Sequence, residues 1–139
     1  MEKSLELYEQ SALQGDSTAC YELANLYFAG TDVERDFEKA LQYYLQAAQQ
    51  GHAGAQCQAG FCYEKGLGTQ PDPTKAFELY LQSAEGGDAT GCNNLGFLYE
   101  SGRGCEKDTA KAVEWYGKAA DLGMAAAHRN LAIHLEGGS

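Results

Sequence analysis

The side chains best suited to chemistry in this chain of 139 residues are three histidines and five cysteines. His128 and His134 lie six residues apart on one predicted helix, about 240° around its axis, so their rings point in different directions. A helical metal site needs ligands at i and i+4, or ligands from another element. His52 stands beside a turn glycine, where a surface or helix-capping role is expected. The histidines therefore predict no metal site.

The cysteines do not form the pattern of a disulfide framework. Cys57 and Cys62 are five residues apart on one predicted helix, about 140° around it, and cannot bridge each other there. Together with Cys20 and Cys92 they are interpreted as small buried or half-buried side chains in a reducing compartment. Cys105 lies in a predicted loop, without the electropositive surroundings that activate a thiol. We expect five free thiols and a cytoplasmic protein.

Motifs of covalent catalysis and of phosphate binding are missing. The sequence contains no Ser-x-x-Lys, Lys-Thr-Gly or Gly-x-Ser-x-Gly, the usual signatures of serine acylation. Gly66-Leu67-Gly68 and Gly102-Arg103-Gly104 lack a third spaced glycine and follow predicted helices rather than strands. They are expected to end helices and form loops. No catalytic residue, cofactor or metal is predicted.

Charge limits the class of partner. The formal net charge is -10, from 20 acidic and 10 basic residues. This disfavours nucleic acids and anionic membrane surfaces, since both are bound through Lys and Arg. It favours basic partners, although an acidic surface also serves solubility. No apolar run approaches the roughly 20 residues of a bilayer span, and Met1 to Ser4 lead into an amphipathic pattern rather than a signal sequence.

Glycines at a fixed interval organise the whole chain. Gly15, Gly51, Gly87 and Gly123 stand 36 residues apart, and a second set keeps the same interval at 30, 66, 102 and 138. A constant period of this length indicates stacked structural repeats. Apolar columns at spacings of three, four and seven predict helices at 3–14, 17–29, 37–50, 53–65, 73–86, 89–101, 109–122 and 125–136.

Sequence signals also mark the ends and contacts of these helices. Asp36, Asp72 and Asp108 stand where N-caps belong, and the glycines at 15, 51, 87 and 123 stand where left-handed C-terminal residues belong. Gly60 and Gly96 occupy a helical column that otherwise holds only alanine. Since glycine costs about 1 kcal/mol inside a helix, this column predicts a very close neighbouring helix.

The segment from Asn94 to Gly104, followed by Asp108, Lys111-Ala112, Trp115-Tyr116 and Lys118 to Ala120, resembles the Sel1-like repeat. The resemblance covers nearly the whole chain, as a half-unit 3–15, repeats 16–51, 52–87 and 88–123, and a half-unit 124–136. It implies an all-α, right-handed α-α superhelix of tetratricopeptide type with about eight helices. It also implies an adaptor or scaffold whose concave face is lined by the first helix of each unit.

A cysteine-rich branch with this spacing is associated with penicillin binding or β-lactamase activity. That branch pairs a cysteine with a second one eight residues later. Cys20 and Cys92 match the second position, but Ala12 and Ala84 stand where the partners should be. The resemblance to this branch therefore lacks its bridges, and the enzyme remains an alternative to the scaffold. A self-associating spacer is a further alternative.

The resemblance places three columns of side chains on the concave face. Two interpretations stay open: an apolar stripe edged by acids and amides that binds an extended peptide or partner helix, or rings that pack as core. The partner would be a protein or peptide, with a basic one favoured by charge. The predicted partner-binding residues are Tyr21, Asn25, Phe28, Phe61, Glu64, Asn93, Phe97, Glu100, Arg129 and Ile133.

Overall fold

A computed structural model describes residues 2–30 and 33–124, and every regular element within them is a helix. The predicted helices are confirmed to within about two residues at each end, and the eighth, at 125–136, lies outside the described residues. The observed helices are α1 Glu2–Leu13, α2 Ser17–Ala29, α3 Phe37–Gln49, α4 Ala53–Lys65, α5 Pro73–Glu85, α6 Ala89–Ser101 and α7 Thr109–Asp121.

Side-chain caps and turn glycines set the helix ends. Asp36, Asp72 and Asp108 accept hydrogen bonds from backbone N–H groups three residues on, each at 3.1 Å, as predicted for N-caps. The turns after the odd-numbered helices each contain a glycine with φ between 86° and 91°. No atom lies within 4 Å of a Cβ built at Gly15, Gly51 or Gly87, so the left-handed backbone alone favours glycine there.

The helices form two layers. Each even-numbered helix packs against the odd-numbered helix that follows it, and α4 also packs directly against α6. The ring centroids of Phe28 on α2 and Phe61 on α4 lie 6.4 Å apart, which brings α2 beside α4 as well. Helices α2, α4 and α6 therefore make a contiguous inner layer, and α1, α3, α5 and α7 make the outer layer.

The tightest contacts between the layers are made by tyrosine rings on glycines. A Cβ at Gly60 would lie 2.9 Å from two ring atoms of Tyr80, and a Cβ at Gly96 would lie 2.9 Å from two ring atoms of Tyr116. The close approach predicted for this column is confirmed, and its nearest neighbour is a side chain. The next nearest atom is a backbone carbonyl oxygen, which would lie 3.3 Å from a Cβ built at Gly60 and 3.1 Å from a Cβ built at Gly96.

The Gly-x-Gly loops are a second kind of close contact. The first glycine of each loop, Gly66 or Gly102, is a left-handed helix C-cap. The second glycine lies against the outer helix of the preceding unit, since a Cβ at Gly104 would lie 2.1 Å from the carbonyl oxygen of Pro73. Each loop connects the two helices of one repeat and contacts the preceding repeat, and the prediction that these segments end helices and form loops is confirmed.

All five cysteines lie within the described residues as free thiols, and all but Cys105 are buried. The Sγ atoms of Cys20 and Cys92 lie 3.9 and 3.7 Å from the carbonyl oxygens of Ala12 and Ala84. The positions that a disulfide would join are thus neighbours in space. Because alanine has no thiol, each cysteine instead donates a weak hydrogen bond to the backbone carbonyl of that alanine near the end of a helix. Burial raises the pKa of both thiols, which keeps them protonated.

The first prediction concerns the space at the glycine column. Gly96→Ala should lower the free energy of unfolding by about 1–3 kcal/mol, because its methyl group would overlap the Tyr116 ring. Gly117→Ala is the matched control, since a Cβ there meets nothing within 4 Å. That helical substitution should stabilise by about 0.5–1 kcal/mol. Urea unfolding measures both, and a stabilised Gly96→Ala variant would contradict the close contact.

The second prediction concerns alkaline pH. Burial raises the pKa of Cys57 to about 12 and that of Cys62 to about 11 from 9.0, and it raises the pKa values of Tyr44, Tyr80 and Tyr116 above the usual 10.0. As pH rises, the unfolded chain therefore loses these protons first. The stability they contribute is complete below about pH 9 and falls above it, by about 1.4 kcal/mol per group and pH unit.

Urea midpoints measured from pH 7 to 11 would test this expectation. Tyr80→Phe is the comparison variant, because it keeps the buried ring and removes one titrating hydroxyl. Its stability should start lower and then decline less steeply above pH 10 than that of the wild type. Parallel curves for the two proteins would show that the Tyr80 hydroxyl does not contribute to the decline.

Candidate partner-binding face

The solvent-facing side of α2, α4 and α6 is called the inner face. Helices α2, α4 and α6 carry eight of the ten predicted partner-binding residues, which differ widely in burial and in contacts. Arg129 and Ile133 lie outside the described residues. The eight are Tyr21, Asn25, Phe28, Phe61, Glu64, Asn93, Phe97 and Glu100.

Phe97 is the exposed aromatic side chain of this face. Its relative exposure is 46%, and among the described residues of α2, α4 and α6 it is the one large apolar side chain in the exposed class. Phe61, one repeat earlier, is half-buried, with its ring near Phe28 on one side and the Lys65 ammonium 6.0 Å from its centroid. The two rings of the predicted stripe are therefore not equivalent.

Phe28 belongs to the packing between the layers. Its ring makes edge contacts with Phe37 at 5.3 Å and with Tyr44 at 6.1 Å between centroids. Both partners are on the outer helix α3. Phe28 and Phe61 thus agree more closely with the interpretation of rings as core, whereas Phe97 agrees with the interpretation of an exposed anchor.

The two glutamates among the eight accept hydrogen bonds from buried tyrosines. The hydroxyl of Tyr80 donates to Oε1 of Glu64 at 2.9 Å, and the Tyr116 hydroxyl donates to Oε2 of Glu100. Glu64 is only 9% exposed in its side chain, and its other oxygen lies 3.7 Å from Nη1 of Arg103. Glu64 and Glu100 therefore supply hydrogen-bond acceptors to buried tyrosine hydroxyls, in addition to being inner-face residues.

In the first unit the same requirement is met by a different position. The Tyr44 hydroxyl donates to Oδ1 of Asn25, while Phe28 takes the place that Glu64 has in the next unit. Sequence reasoning grouped these residues by column and missed their pairing with the tyrosines. The exchange of a polar and an aromatic residue between the two columns was the signal that could have revealed it.

Three further inner-face residues lie around a helix cap and a buried thiol. The Tyr21 ring stacks on His52 with centroids 4.5 Å apart, and Nδ1 of His52 accepts from the Ala55 N–H at 3.0 Å, as expected for a capping histidine. Nδ2 of Asn94 lies 3.8 Å from the Sγ of Cys57. Asn93 precedes it on α6 and is half-buried.

The arrangement offers no reactive group within the described residues. Burial and the neighbouring Asp88 raise the pKa of Cys57 to about 12, so this thiol stays protonated at neutral pH. The Cys105 thiol donates to the carbonyl of Leu98 at 3.5 Å, and burial raises its pKa as well. Across residues 2–30 and 33–124, no three metal-ligating side chains converge.

Repeated cation–aromatic contacts were also missed by sequence reasoning. Lys39, Lys75 and Lys111 begin the outer helices, and each ammonium lies 5.2–5.5 Å from the ring centroid of the tyrosine twelve residues earlier. The constant spacing of Lys and Tyr in the repeat was visible, but their contact across two helices was not. These lysines therefore lie at the edge where the longer loops join the layers.

Comparisons with known proteins identify the repeat. The sequence matches the Sel1 repeat over residues 1–16, 17–52, 53–88 and 89–124. A search of curated proteins gives no significant match. None of the helices in the described part of the chain has the length and apolar character that a bilayer crossing requires.

Solved structures share the fold. A Sel1 repeat protein from Oxalobacter formigenes has 33% identity and a TM-score of 0.85, and the match covers 92% of this chain and 53% of that one. The protective antigen c5321 of uropathogenic Escherichia coli, described as displaying an SLR fold, has 31% identity and a TM-score of 0.90, covering 95% and 28%. Helicobacter pylori cysteine rich protein B has 25% identity and a TM-score of 0.74, covering 94% and 93%.

The chain thus spans about half of the Oxalobacter protein and about a quarter of the Escherichia antigen. These matches confirm the predicted right-handed α-α superhelix of helix-turn-helix repeats. Sel1 repeats are generally non-catalytic scaffolds for protein interaction. With the family match covering most of the sequence, the chain belongs to the Sel1 repeat family.

Proposed function

We propose that this chain is a non-catalytic adaptor that binds an extended segment of a partner protein along its inner face. The observation that carries the proposal is the exposed ring of Phe97 on a helix layer whose other described aromatic rings are packed. An exposed aromatic residue among polar neighbours is a common anchor in protein interfaces. The tight inter-layer packing beneath it supplies a rigid support.

Side-chain amides beside this anchor suit a peptide backbone. Gln58 on α4 and Asn94 on α6 are 36 residues apart and half-buried on the same side of the inner layer. Glu22 holds the equivalent position on α2. Amides can both donate to and accept from a peptide group, so one such residue per repeat can follow an extended chain. The segment would place an apolar side chain against Phe97.

Charge favours a basic segment. The protein carries a net charge of -10, which attracts cations at long range and raises the association rate. The two described cations next to inner-face residues have partners there, since Lys65 lies over the Phe61 ring and Arg103 pairs with Glu64. Association should therefore slow as salt rises, as expected for electrostatic steering.

The alternatives from the sequence receive no specific support. A β-lactamase-like or penicillin-binding activity would need an activated nucleophile, and the described thiols are held protonated by burial. Ser83 is buried and donates to the Ala53 carbonyl at 2.7 Å. A self-associating spacer would need an exposed apolar contact such as Leu122, which is 52% exposed at the end of α7 and serves below as a control.

The test uses Phe97 in two ways. A photo-crosslinking benzoylphenylalanine in place of Phe97 should capture the partner, whereas the same group at Glu78, exposed on the outer helix α5, should not. With the captured partner purified, Phe97→Ala should weaken binding by about 1–4 kcal/mol in calorimetry. Its melting temperature should stay close to that of the wild type, because the ring is exposed.

Leu122→Ala is the matched control, since it also removes an exposed apolar side chain and lies on the outer layer. It should leave the affinity unchanged. Phe61→Ala should lower the melting temperature, because that ring packs against Phe28. Unchanged affinity in Phe97→Ala, together with weakened binding in Leu122→Ala, would refute the inner face as the binding surface.

A further inference from the structure

A large cavity lined by described residues lies away from the inner face. It opens between the outer helices α1 and α3, with a volume of about 600 Å³, and is called here the α1–α3 cleft. Its polar lining comes from both helices and from one residue of α2. The lining residues with polar groups are Glu9, Tyr27, Lys39, Tyr43, Gln46, Gln49 and Gln50.

The α1–α3 cleft can be compared with the equivalent gaps between the later outer helices. Equivalent gaps follow between α3 and α5, at about 310 Å³, and between α5 and α7, at about 270 Å³. In the α3–α5 gap the side chain of Gln56 reaches in and donates to the Ala48 carbonyl at 3.2 Å. In the first gap, Glu9 stands where the next two repeats have Leu45 and Leu81. The first gap is thus both larger and more polar.

The polar groups in the cleft are only partly satisfied within the described residues, where Oε1 of Gln46 accepts from the Cys20 thiol at 3.5 Å. Tyr43 is half-buried, yet its hydroxyl makes no hydrogen bond there, whereas Tyr44 and Tyr80 beside the inner layer are both paired. Burial raises the pKa of Tyr43, and the nearby Tyr27 phenol and Glu9 carboxylate raise it further. Half-buried polar groups without partners are costly unless water or a ligand satisfies them.

The charged residues of the cleft are one base, Lys39, and one acid, Glu9, and they have different partners. The Lys39 ammonium lies over the Tyr27 ring, 5.2 Å from its centroid. The Glu9 carboxylate forms no ion pair with any described residue, and it belongs to a protein of net charge -10. Gln49 and Gln50 line the same cleft, and their amide oxygens add neutral acceptors. Such a site offers several acceptors around one negative charge.

We propose that the α1–α3 cleft binds the guanidinium group of an arginine side chain on a partner protein. A guanidinium is planar and carries five N–H donors, so it can bond the Glu9 carboxylate and the glutamine oxygens together. The same plane can stack on the Tyr43 ring. A lysine ammonium has fewer donors and no plane. This site is separate from the inner face and does not depend on the function proposed for it.

The test uses N-acetyl-arginine amide as the probe. Titrated into the ¹⁵N-labelled full chain, it should cause saturable shifts of the side-chain amide signals of Gln46, Gln49 and Gln50. N-acetyl-lysine amide should bind more weakly, and neutral N-acetyl-glutamine amide should give no saturable shift. Glu9→Gln should weaken the arginine probe about tenfold or more, because it removes a charge-assisted hydrogen bond.

Two further variants separate the site from a general structural effect. Tyr43→Phe keeps the ring and should weaken the probe modestly, which also serves if Glu9→Gln fails to fold. Gln82→Ala removes the amide equivalent to Gln46 in the next gap and should change nothing. Phe97→Ala should also leave probe binding unchanged, so failure of the inner-face proposal would not affect this result.

Several outcomes would overturn the proposal. Equal binding of the lysine and arginine probes would show that the cleft does not select a guanidinium. An unchanged affinity in both Glu9→Gln and Tyr43→Phe, or an equal loss in Gln82→Ala, would place the binding elsewhere. The absence of saturable shifts at the three glutamines would do the same.

Discussion

The packing of a tyrosine from each outer helix against the preceding inner helix is the contact on which the rest of the structure depends. Tyr80 and Tyr116 lie so close to Gly60 and Gly96 that a Cβ at either glycine would overlap the ring. Both rings are fully buried, so their hydroxyls need acceptors within the protein. Because the contact recurs every 36 residues, it fixes the geometry of each helix pair in the same way.

Satisfying these hydroxyls determines much of the chemistry of the inner face. Glu64 and Glu100 accept hydrogen bonds from Tyr80 and Tyr116, so carboxylates that a partner could have contacted are also bonded to core side chains. In the first pair, alanine replaces glycine at position 24, and Asn25 is the acceptor instead. The inner face consequently carries fewer uncommitted charges than its composition suggests. Its exposed apolar group among the described residues is Phe97.

The features that distinguish this protein from an ideal repeat lie at positions that differ between its repeats. Glu9 in place of Leu45 and Leu81 gives the α1–α3 cleft, which is larger than the equivalent gaps, a carboxylate that they lack. Exposure of Phe97 in place of the packed Phe61 distinguishes one unit of the inner face from the next. The strict repeat supplies a rigid frame, and these departures supply candidate contacts on two different surfaces.

The helices, their caps and their close contacts were determined by the sequence itself. Asp36 and Gly51 act through neighbouring backbone groups, and the Gly60 and Gly96 column recurs with the period, so local and periodic patterns were sufficient. The assignment of the eight described candidate residues to α2, α4 and α6 also followed from the repeat.

Only the tertiary structure decided what those residues do. The acceptor role of Glu64 depends on a tyrosine sixteen residues away on another helix, and the packing of Phe28 depends on Phe37 and Tyr44 across the layers. The α1–α3 cleft results from the combined lengths of side chains on three helices. A column of aligned residues records type and spacing, whereas burial and hydrogen bonding depend on which side chains of other helices meet them in space.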